Sequence, residues 1–286
     1  MSSAYDAIIE QNDHTRWAFG TGFDDPLAGV DTSIPKGMDR HELATYSLML
    51  GDDALIMSHR LSEWCTNSPE LEDEVALANI ALDLLGQARL LLSRAAQARG
   101  VGDEDTLAYL RDEREFRNVR LVEVPRGDFA HETARLLAFS TWRLALLERL
   151  TGSPDPVLAA IATKGVKEVT YHREYAAEWA VRLGDGTAHS HERMAAAIEA
   201  VWPYTAELFA PHEVERRVGV DTSMLRPEFD AVIEQVFRMA HLHIPDVVPL
   251  AQVAGQAGRN GVHSEAMGYL LAEMQSVARA HPGATW

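Results

Sequence analysis

Four polar side chains fall on the predicted inner faces of long amphipathic helices: Asp53, Asp83, Glu168 and His172. Carboxylate and imidazole groups that face one another inside a helical bundle can bind a pair of transition-metal ions. A di-iron centre of this kind takes one Glu from each of two helices and a Glu-x-x-His pair from each of the other two, because residues three apart point the same way. These four side chains are therefore the candidate metal ligands.

The spacing of the histidines argues against such a metal centre. None of the 12 histidines has a Glu three residues before it. The residue three before His172 is Val169, and the residue three after Asp83 is Gly86, which carries no ligand atom. Both Glu-x-x-His pairs are missing. The sequence thus predicts no catalytic, cofactor-binding or metal-binding residues, and the four candidates are at most the remains of a metal site.

Two interpretations remain for Glu168 and His172, which lie four residues apart on one helix face. They could form a metal-binding pair or an internal hydrogen-bonded pair. We expect the second, with Asp83 and Glu168 buried in one polar network that includes His172, because buried polar groups are normally paired. The carboxylates of Asp53 and Asp83 are expected to find partners among four side chains, Arg60, Gln87, Arg89 and Lys164.

The apolar pattern that positions these residues is helical almost throughout. Long helices are predicted at about residues 41–65, 69–99, 129–150 and 156–183, and shorter ones near 105–118, 192–209, 227–242 and 264–280. Residues 119–125 are predicted to form a briefly extended link, and Pro203 is expected to kink or end its helix. Four long helices joined by short connections predict an all-α protein, an antiparallel four-helix bundle with additional short helices.

Composition limits the partners and the location of the chain. Its 286 residues carry 43 acidic and 26 basic side chains, a formal net charge of −17, which makes nucleic acid an unsuitable partner. The first residues lack the basic start of a signal peptide, and no apolar stretch approaches the roughly 18 residues of a membrane helix. We therefore expect a cytoplasmic protein that binds neither membrane nor nucleic acid.

Three local features of the sequence bear on its domains and loops. Residues 1–36 are interrupted by Gly and Pro and are predicted to be a poorly ordered N-terminal arm, and residues 37–286 are predicted to be one bundle domain. Cys65 is the only cysteine, which excludes an intramolecular disulfide, and it is expected to be a small buried hydrophobe. The glycine-rich stretch around Arg259 lacks the pattern of a phosphate-binding loop and predicts a flexible connector.

Several longer segments resemble a known family. They are residues 50–55 with 61–64, 77–89, 102–114, the pairs 167–168 and 171–172, 182–186 and 263–286. Together they resemble the C (structural) subunits of the phenylacetyl-CoA 1,2-epoxidases, bacterial multicomponent monooxygenases. The resemblance covers about residues 40–286.

The resemblance implies a ferritin-like bundle and a set of partners. In this family a homologous A subunit holds the di-iron centre, and further small subunits and a reductase complete a system that epoxidises the ring of phenylacetyl-CoA in phenylacetate catabolism. It implies that this chain is a non-catalytic structural subunit without a cofactor of its own. Without the A subunit, the chain is expected to form a homo-oligomer through the face that the homologous bundle would use.

An alternative to the structural subunit is an enzyme with its own metal site. The chain could be a metal-dependent ferritin-like oxygenase that acts by itself, with metal on Asp53, Asp83, Glu168 and His172. Such an enzyme needs the ligand pairs that the sequence lacks. The missing pairs therefore favour the structural role.

Overall fold

The computed structural model describes residues 27–282 and 284. In this part of the chain there are nine α-helices: α1 (Arg40–Ser62), α2 (Leu71–Arg99), α3 (Glu104–Tyr109), α4 (Phe129–Leu150), α5 (Pro156–Gly184), α6 (Ala188–Val201), α7 (Glu213–Val218), α8 (Arg226–Met239) and α9 (Glu265–Ala280). Between residues 27 and 282 no strand forms beyond one isolated bridge, Val253 with Gln256. The all-α prediction is confirmed.

The four long helices form two hairpins that pack together. A short connection at residues 63–70 joins α1 to α2, and another at 151–155 joins α4 to α5, so each pair is antiparallel. Helices α2 and α5 are also antiparallel. Asp73 near the start of α2 contacts Trp179 near the end of α5, and Gln87 farther along α2 contacts Glu168. The long crossover at 100–128 links the hairpins. This is the predicted ferritin-like antiparallel four-helix bundle.

Local capping residues explain where the long helices begin and end. The side chain of Asp128 accepts a hydrogen bond from the backbone N–H of His131, and that of Asp155 accepts one from Leu158 at the start of α5. At the other end of α2, Gly100 takes the left-handed conformation, φ 75°, that favours glycine. Because these signals are local, the predicted bounds of the long helices agree with the structure within a few residues.

Helix α4 lies at the centre of the molecule. Nearly every side chain of α4 is buried, because α5, α6 and α8 all pack on it. Trp142, Phe139 and Leu146 of this helix are among the most deeply buried apolar residues of the core. A helix that is buried on all sides positions polar side chains inside the bundle with little freedom to move.

Helix α2 is apolar on its outer side as well as its inner side. Within the described residues it is the one helix whose length and composition would allow it to cross a bilayer, with a mean hydropathy of 1.5 over 18 residues, 44% of them buried. The core helix of a soluble bundle meets the same criterion. Its half-exposed apolar surface is nevertheless unusual for a helix that faces water.

Three of the shorter segments differ from the prediction, and one agrees with it. The helix predicted near 105–118 ends at Tyr109, and Glu113–Glu115 forms a separate 3₁₀ turn. The link at 119–125 is not extended, because buried side-chain bonds of Arg120 and Glu123 hold residues Arg120–Glu123 in a 3₁₀ turn. Helix α7 was not predicted at all. The expectation for Pro203 is confirmed, since α6 ends at Val201 and continues as a 3₁₀ segment, Trp202–Phe209.

The predicted N-terminal arm falls mostly outside the described residues, which begin at 27. From there on the chain lies against the bundle, with Leu27, Val30 and Ile34 packed on the core. Arg94 of α2 donates a hydrogen bond of 2.7 Å to the carbonyl oxygen of Thr32. Residues 27–36 therefore wrap the bundle, and the division into arm and domain stays a prediction.

Candidate functional site

The four candidate ligands do not meet at one point. Asp83 pairs with His172, with 3.1 Å between Oδ2 and Nε2. Glu168 instead accepts a hydrogen bond of 2.8 Å from the side-chain amide of Gln87 and lies 2.7 Å from the ammonium of Lys164. Helices α2 and α5 thus place two separate polar pairs side by side, and the direct Glu168–His172 pair that we expected is not formed.

The structure buries His172 as expected but leaves the carboxylate of Asp83 partly exposed. His172 is only 1% exposed, whereas the carboxylate of Asp83 is 37% exposed and that of Glu168 is 14% exposed. Position 83 lies at the outer edge of the contact between α2 and α5, so one side of its carboxylate faces solvent. The helical spacing of apolar residues correctly predicted that Asp83 lies at the contact between α2 and α5. It did not predict that its carboxylate is partly exposed.

Asp53 has a partner outside the expected set. This fully buried carboxylate accepts hydrogen bonds of 2.9 Å from both Nη atoms of Arg259 and another of 2.9 Å from the backbone N–H of Val119. It points toward the crossover and the C-terminal segment, away from α2 and α5. The expected partners contact other residues: Arg60 contacts Glu123, Gln87 and Lys164 contact Glu168, and Arg89 contacts Glu104.

Arg259 is the centre of a buried cluster. Besides holding Asp53, it donates to the carbonyl oxygens of Met49 and Arg117, and its Nε lies 3.2 Å from Glu215. Burial alone would lower the pKa of Arg259, but the charges of Asp53 and Glu215 outweigh burial, so the pKa is raised. Burial in turn raises the pKa of Glu215. The guanidinium therefore stays charged inside the protein.

The glycine-rich stretch around Arg259 is a structural clamp, which corrects the prediction of a flexible connector. Gly258–Asn260 forms a 3₁₀ turn in which Gly258 and Arg259 are buried. A Cβ at position 258 would collide with the carbonyl oxygen of Asn118, so glycine is required for the close approach of the two segments. The one signal in the sequence was an isolated arginine among glycines.

Asp52, the neighbour of Asp53, ties the same helix to the crossover and was not among the predicted residues. Its carboxylate is fully buried and contacts both Nη atoms of Arg111. It also accepts a hydrogen bond of 2.8 Å from the backbone N–H of Arg117. Two adjacent aspartates on α1 thus anchor two different arginines, which fixes the crossover against the bundle.

The interior of the four-helix bundle contains a guanidinium, that of Arg143 on α4. It is fully buried, donates a hydrogen bond of 3.0 Å to the side-chain oxygen of Gln87 and lies 3.4 Å from the carbonyl oxygen of Leu50. Burial lowers the pKa of Arg143 to about 10, although the charges of Asp53 and Glu168 favour protonation. Since Gln87 also donates to Glu168, a chain of polar groups crosses the bundle from α5 to α1.

This donor set does not fit a di-iron centre. Within residues 27–282 no three His, Cys, Asp or Glu side chains lie close enough together to hold a metal ion. Guanidinium groups carry only donors and a positive charge, so Arg143 cannot be a ligand. We therefore derive no chemistry through a metal for this chain, and the expected lack of a metal stays a prediction.

The lone thiol also differs from expectation. Cys65 is exposed, not buried, because it lies in the turn that follows α1. Its exposure removes the packing role that the sequence suggested for it.

A buried histidine–carboxylate pair makes stability depend on pH. His263 contacts two acceptors, the Glu123 carboxylate at 2.6 Å and the Phe116 carbonyl oxygen at 3.1 Å, so both ring nitrogens must carry a proton. Burial opposes this charge, but the hydrogen bond and charge of Glu123 outweigh burial and raise the pKa of His263. The imidazolium thus stabilises the folded state below its usual pKa, about 6.5, and loses this effect as pH rises through the folded-state pKa.

We expect His263→Gln to cost more stability at pH 6 than at pH 9. Urea unfolding at both pH values, with circular dichroism as the signal, measures the difference. His281→Gln, at an exposed position, is the matched control. If His263→Gln lowers stability equally at both pH values, the histidine is neutral in the folded protein.

The fold defines the class of the protein: a ferritin-like bundle with one arginine, Arg143, in its interior and with buried arginine–aspartate pairs that anchor the crossover and the C-terminal segment to α1. The family model described as phenylacetic acid catabolic protein matches residues 30–286, and the chain belongs to this family. A curated relative, the C subunit of the 1,2-phenylacetyl-CoA epoxidase of Escherichia coli (strain K12), is 46% identical over 251 residues, which cover 86% of this chain and 100% of the relative. The resemblance drawn from the sequence motifs is confirmed.

Proposed function

We propose that this chain is the non-catalytic structural subunit of a cytoplasmic phenylacetyl-CoA 1,2-epoxidase. It supports a homologous A subunit that holds the di-iron centre, and further small subunits and a reductase complete the system in phenylacetate degradation. The observation that carries the proposal is the interior of the bundle, where Arg143 and Gln87 lie between the helices in place of a ligand set. The identity of 46% to the C subunit from Escherichia coli supports the same role.

Buried ion pairs of this chain fix the positions of the crossover and the C-terminal segment relative to the bundle. Arg259 and Asp53 join the C-terminal segment to α1, and Arg111 and Asp52 join the crossover to the same helix. Buried ion pairs of this kind fix one arrangement, because breaking them leaves an uncompensated charge. A rigid bundle has a fixed surface, and a supporting subunit needs such a surface to bind its partner.

The alternative, a metal-dependent oxygenase that acts by itself, makes the opposite prediction for metal content. We expect the purified chain to carry no stoichiometric iron and no oxygenase activity, because the described part of its interior offers no ligand set. Elemental analysis and absorption spectroscopy of the chain alone measure this. Two equivalents of iron per chain with a di-iron spectrum would establish the alternative.

The partner is tested by co-expression. The A subunit and this chain should elute together in size-exclusion chromatography, and the pair should contain the iron that the chain alone lacks. Omitting this chain should lower both the solubility and the activity of the A subunit, since obligate interfaces commonly bury more than about 2,000 Å² of surface and are more apolar than transient ones. An A subunit that is soluble and fully active by itself, and that elutes separately at micromolar concentration, would refute the structural role.

A further inference from the structure

A row of aromatic side chains lies along α5 where this helix packs against the start of α2. Tyr171, Tyr175 and Trp179 follow one another at four-residue spacing, so they lie on one face of the helix. The ring centroids of Tyr171 and Tyr175 are 6.5 Å apart. Tyr171 is 48% exposed, whereas Tyr175 and Trp179 are half-buried. The row therefore leads from solvent into the contact between the two helices.

The carboxylate of Asp73, on α2, accepts a hydrogen bond from each of the two inner members of this row. Its Oδ1 lies 3.0 Å from the hydroxyl oxygen of Tyr175 and 2.9 Å from the indole nitrogen of Trp179. Asp73 is only 6% exposed, so water has little access to it. A carboxylate at this distance from a phenol is a base within the reach that proton transfer requires.

Tyr175 is held as a neutral phenol until it loses an electron. Burial raises the pKa of Tyr175, and the charge of Asp73 raises it further. Loss of the proton alone is disfavoured, because it would place two negative charges side by side. Loss of an electron reverses this preference, since an oxidised phenol is a far stronger acid than the phenol itself. Its proton then passes to Asp73.

The other rings of the row are less favourable places for an oxidised state. The guanidinium of Arg182 lies over the indole of Trp179, 5.1 Å from its centroid. A cation at the ring face stabilises the neutral indole and disfavours its radical cation. Phe129, 4.9 Å from Trp179, follows next, and a benzene ring is harder to oxidise than a phenol or an indole. An oxidised state therefore settles on Tyr175.

We propose that Tyr175 and Asp73 form a site of reversible one-electron oxidation, with Tyr171 as its entry from solvent. The oxidant is of the class of peroxyl radicals and is reduced by one electron to its anion. Tyr171 supplies this electron and releases its proton to water, and it then recovers an electron from Tyr175 and a proton from water. In Tyr175 the Oη–H bond breaks, an O–H bond forms at Oδ1 of Asp73, and a neutral phenoxyl radical remains.

A reductant of the thiol class returns the site to its starting state. The phenoxyl radical takes one electron from the thiol, and the proton moves back from Asp73 to the Oη of Tyr175. Each thiol loses an electron and a proton, and two of the resulting thiyl radicals combine to a disulfide. The site thus removes radicals without loss of a side chain. This activity belongs to the chain alone and goes beyond its proposed structural role.

Photo-oxidation of the purified chain tests the site. Light flashes with tris(bipyridine)ruthenium(II) and a cobalt(III) quencher generate a one-electron oxidant in solution, and peroxyl radicals from a water-soluble azo initiator are the second probe. Electron paramagnetic resonance and transient absorption distinguish tyrosyl from tryptophanyl radicals. The wild-type chain should give a long-lived tyrosyl radical with both probes. Tyr175→Phe should lose it and give a short-lived tryptophanyl signal, and Tyr171→Phe should slow its appearance without changing its lifetime.

The variant Asp73→Asn separates proton transfer from packing. The amide has nearly the same shape as the carboxylate but is not a base that can take up the phenolic proton. Formation of the tyrosyl radical should therefore be slower in this variant and should speed up with the concentration of imidazole buffer, which replaces the missing base. In the wild-type chain the rate should not depend on the buffer, because the base is part of the protein.

Two control variants separate this site from other tyrosines and carboxylates. Tyr269→Phe removes a tyrosine that is 69% exposed and contacts only Glu265, at 3.4 Å, so the long-lived radical should remain. Asp83→Asn neutralises another carboxylate of α2, which pairs with His172 and not with a tyrosine, and should also leave it unchanged.

Circular dichroism verifies that each variant is folded. A long-lived tyrosyl radical that persists in Tyr175→Phe would overturn the proposal. Radical formation in Asp73→Asn that equals wild type at every imidazole concentration would overturn it as well, and so would a signal that only Tyr269→Phe abolishes.

Discussion

Replacing Arg259 with leucine is expected to lower the free energy of unfolding by about 3–5 kcal/mol, the usual cost of removing one partner of a buried ion pair. Asp53 is fully buried and Glu215 is 2% exposed, and both would be left without their nearest cation. Leucine would still fill part of the space, so the loss reports on the charges more than on a cavity. Urea unfolding, followed by circular dichroism at pH 7, measures it.

The control for this prediction is an arginine in a weak ion pair. Arg216 lies 3.7 Å from Asp221, and both side chains are more than a third exposed, so Arg216→Leu should cost no more than about 1 kcal/mol. The double variant Asp53→Asn/Arg259→Leu should recover part of the loss, because one of the two stranded carboxylates is removed with its counter-ion. Equal stability of Arg259→Leu and wild type would show that the buried ion pair does not stabilise the fold.

The helices could be predicted from the sequence because their signals are local. Helix α4 begins and ends where it was predicted, at Phe129 and Leu150, since Asp128 caps it and the apolar period runs to its last residue. Helix α5 likewise begins at Pro156, which the first helical position tolerates. Both signals lie within a few residues of the structure that they determine.

The partners of the buried charges could not be predicted, because they come from distant parts of the chain. Asp53 and Arg259 are separated by 206 positions, and the loop that carries Arg259 has no helical period to place it. The pattern along α1 indicated correctly that Asp53 is buried. It could not indicate that the C-terminal segment approaches that side of the helix.

The side chains inside the bundle could not be predicted from the sequence either. The spacing of Glu and His shows that the sequence has no Glu-x-x-His pair, but it does not show which side chains lie inside the bundle instead. Arg143 lies between apolar residues of α4, and its environment depends on helices from both hairpins. An arginine inside a run of apolar residues was the available signal. Its meaning depended on knowing that α4 is buried on all sides.

A second pair of substitutions is expected to raise stability, whereas Arg259→Leu lowers it. Replacing Arg143 and Gln87 together with methionine and leucine should raise the free energy of unfolding by about 1–4 kcal/mol, as other buried polar groups have done when replaced by apolar side chains of similar volume. Burial lowers the pKa of Arg143 to about 10, which means that the folded interior disfavours its charge. Glu168 would keep Lys164, at 2.7 Å, and Asp53 would keep Arg259.

The single variant Arg143→Met separates the charge from its hydrogen bonds. It strands the side-chain oxygen of Gln87, so it should be less stable than the double variant by about 1–3 kcal/mol. Since the cost of the buried charge is present at every pH below about 10, the advantage of the double variant should be equal at pH 6 and pH 8. Urea unfolding of all three proteins at both pH values measures these differences. A double variant less stable than wild type would show that the guanidinium stabilises the bundle, and that the ions inside this scaffold do more than fix its shape.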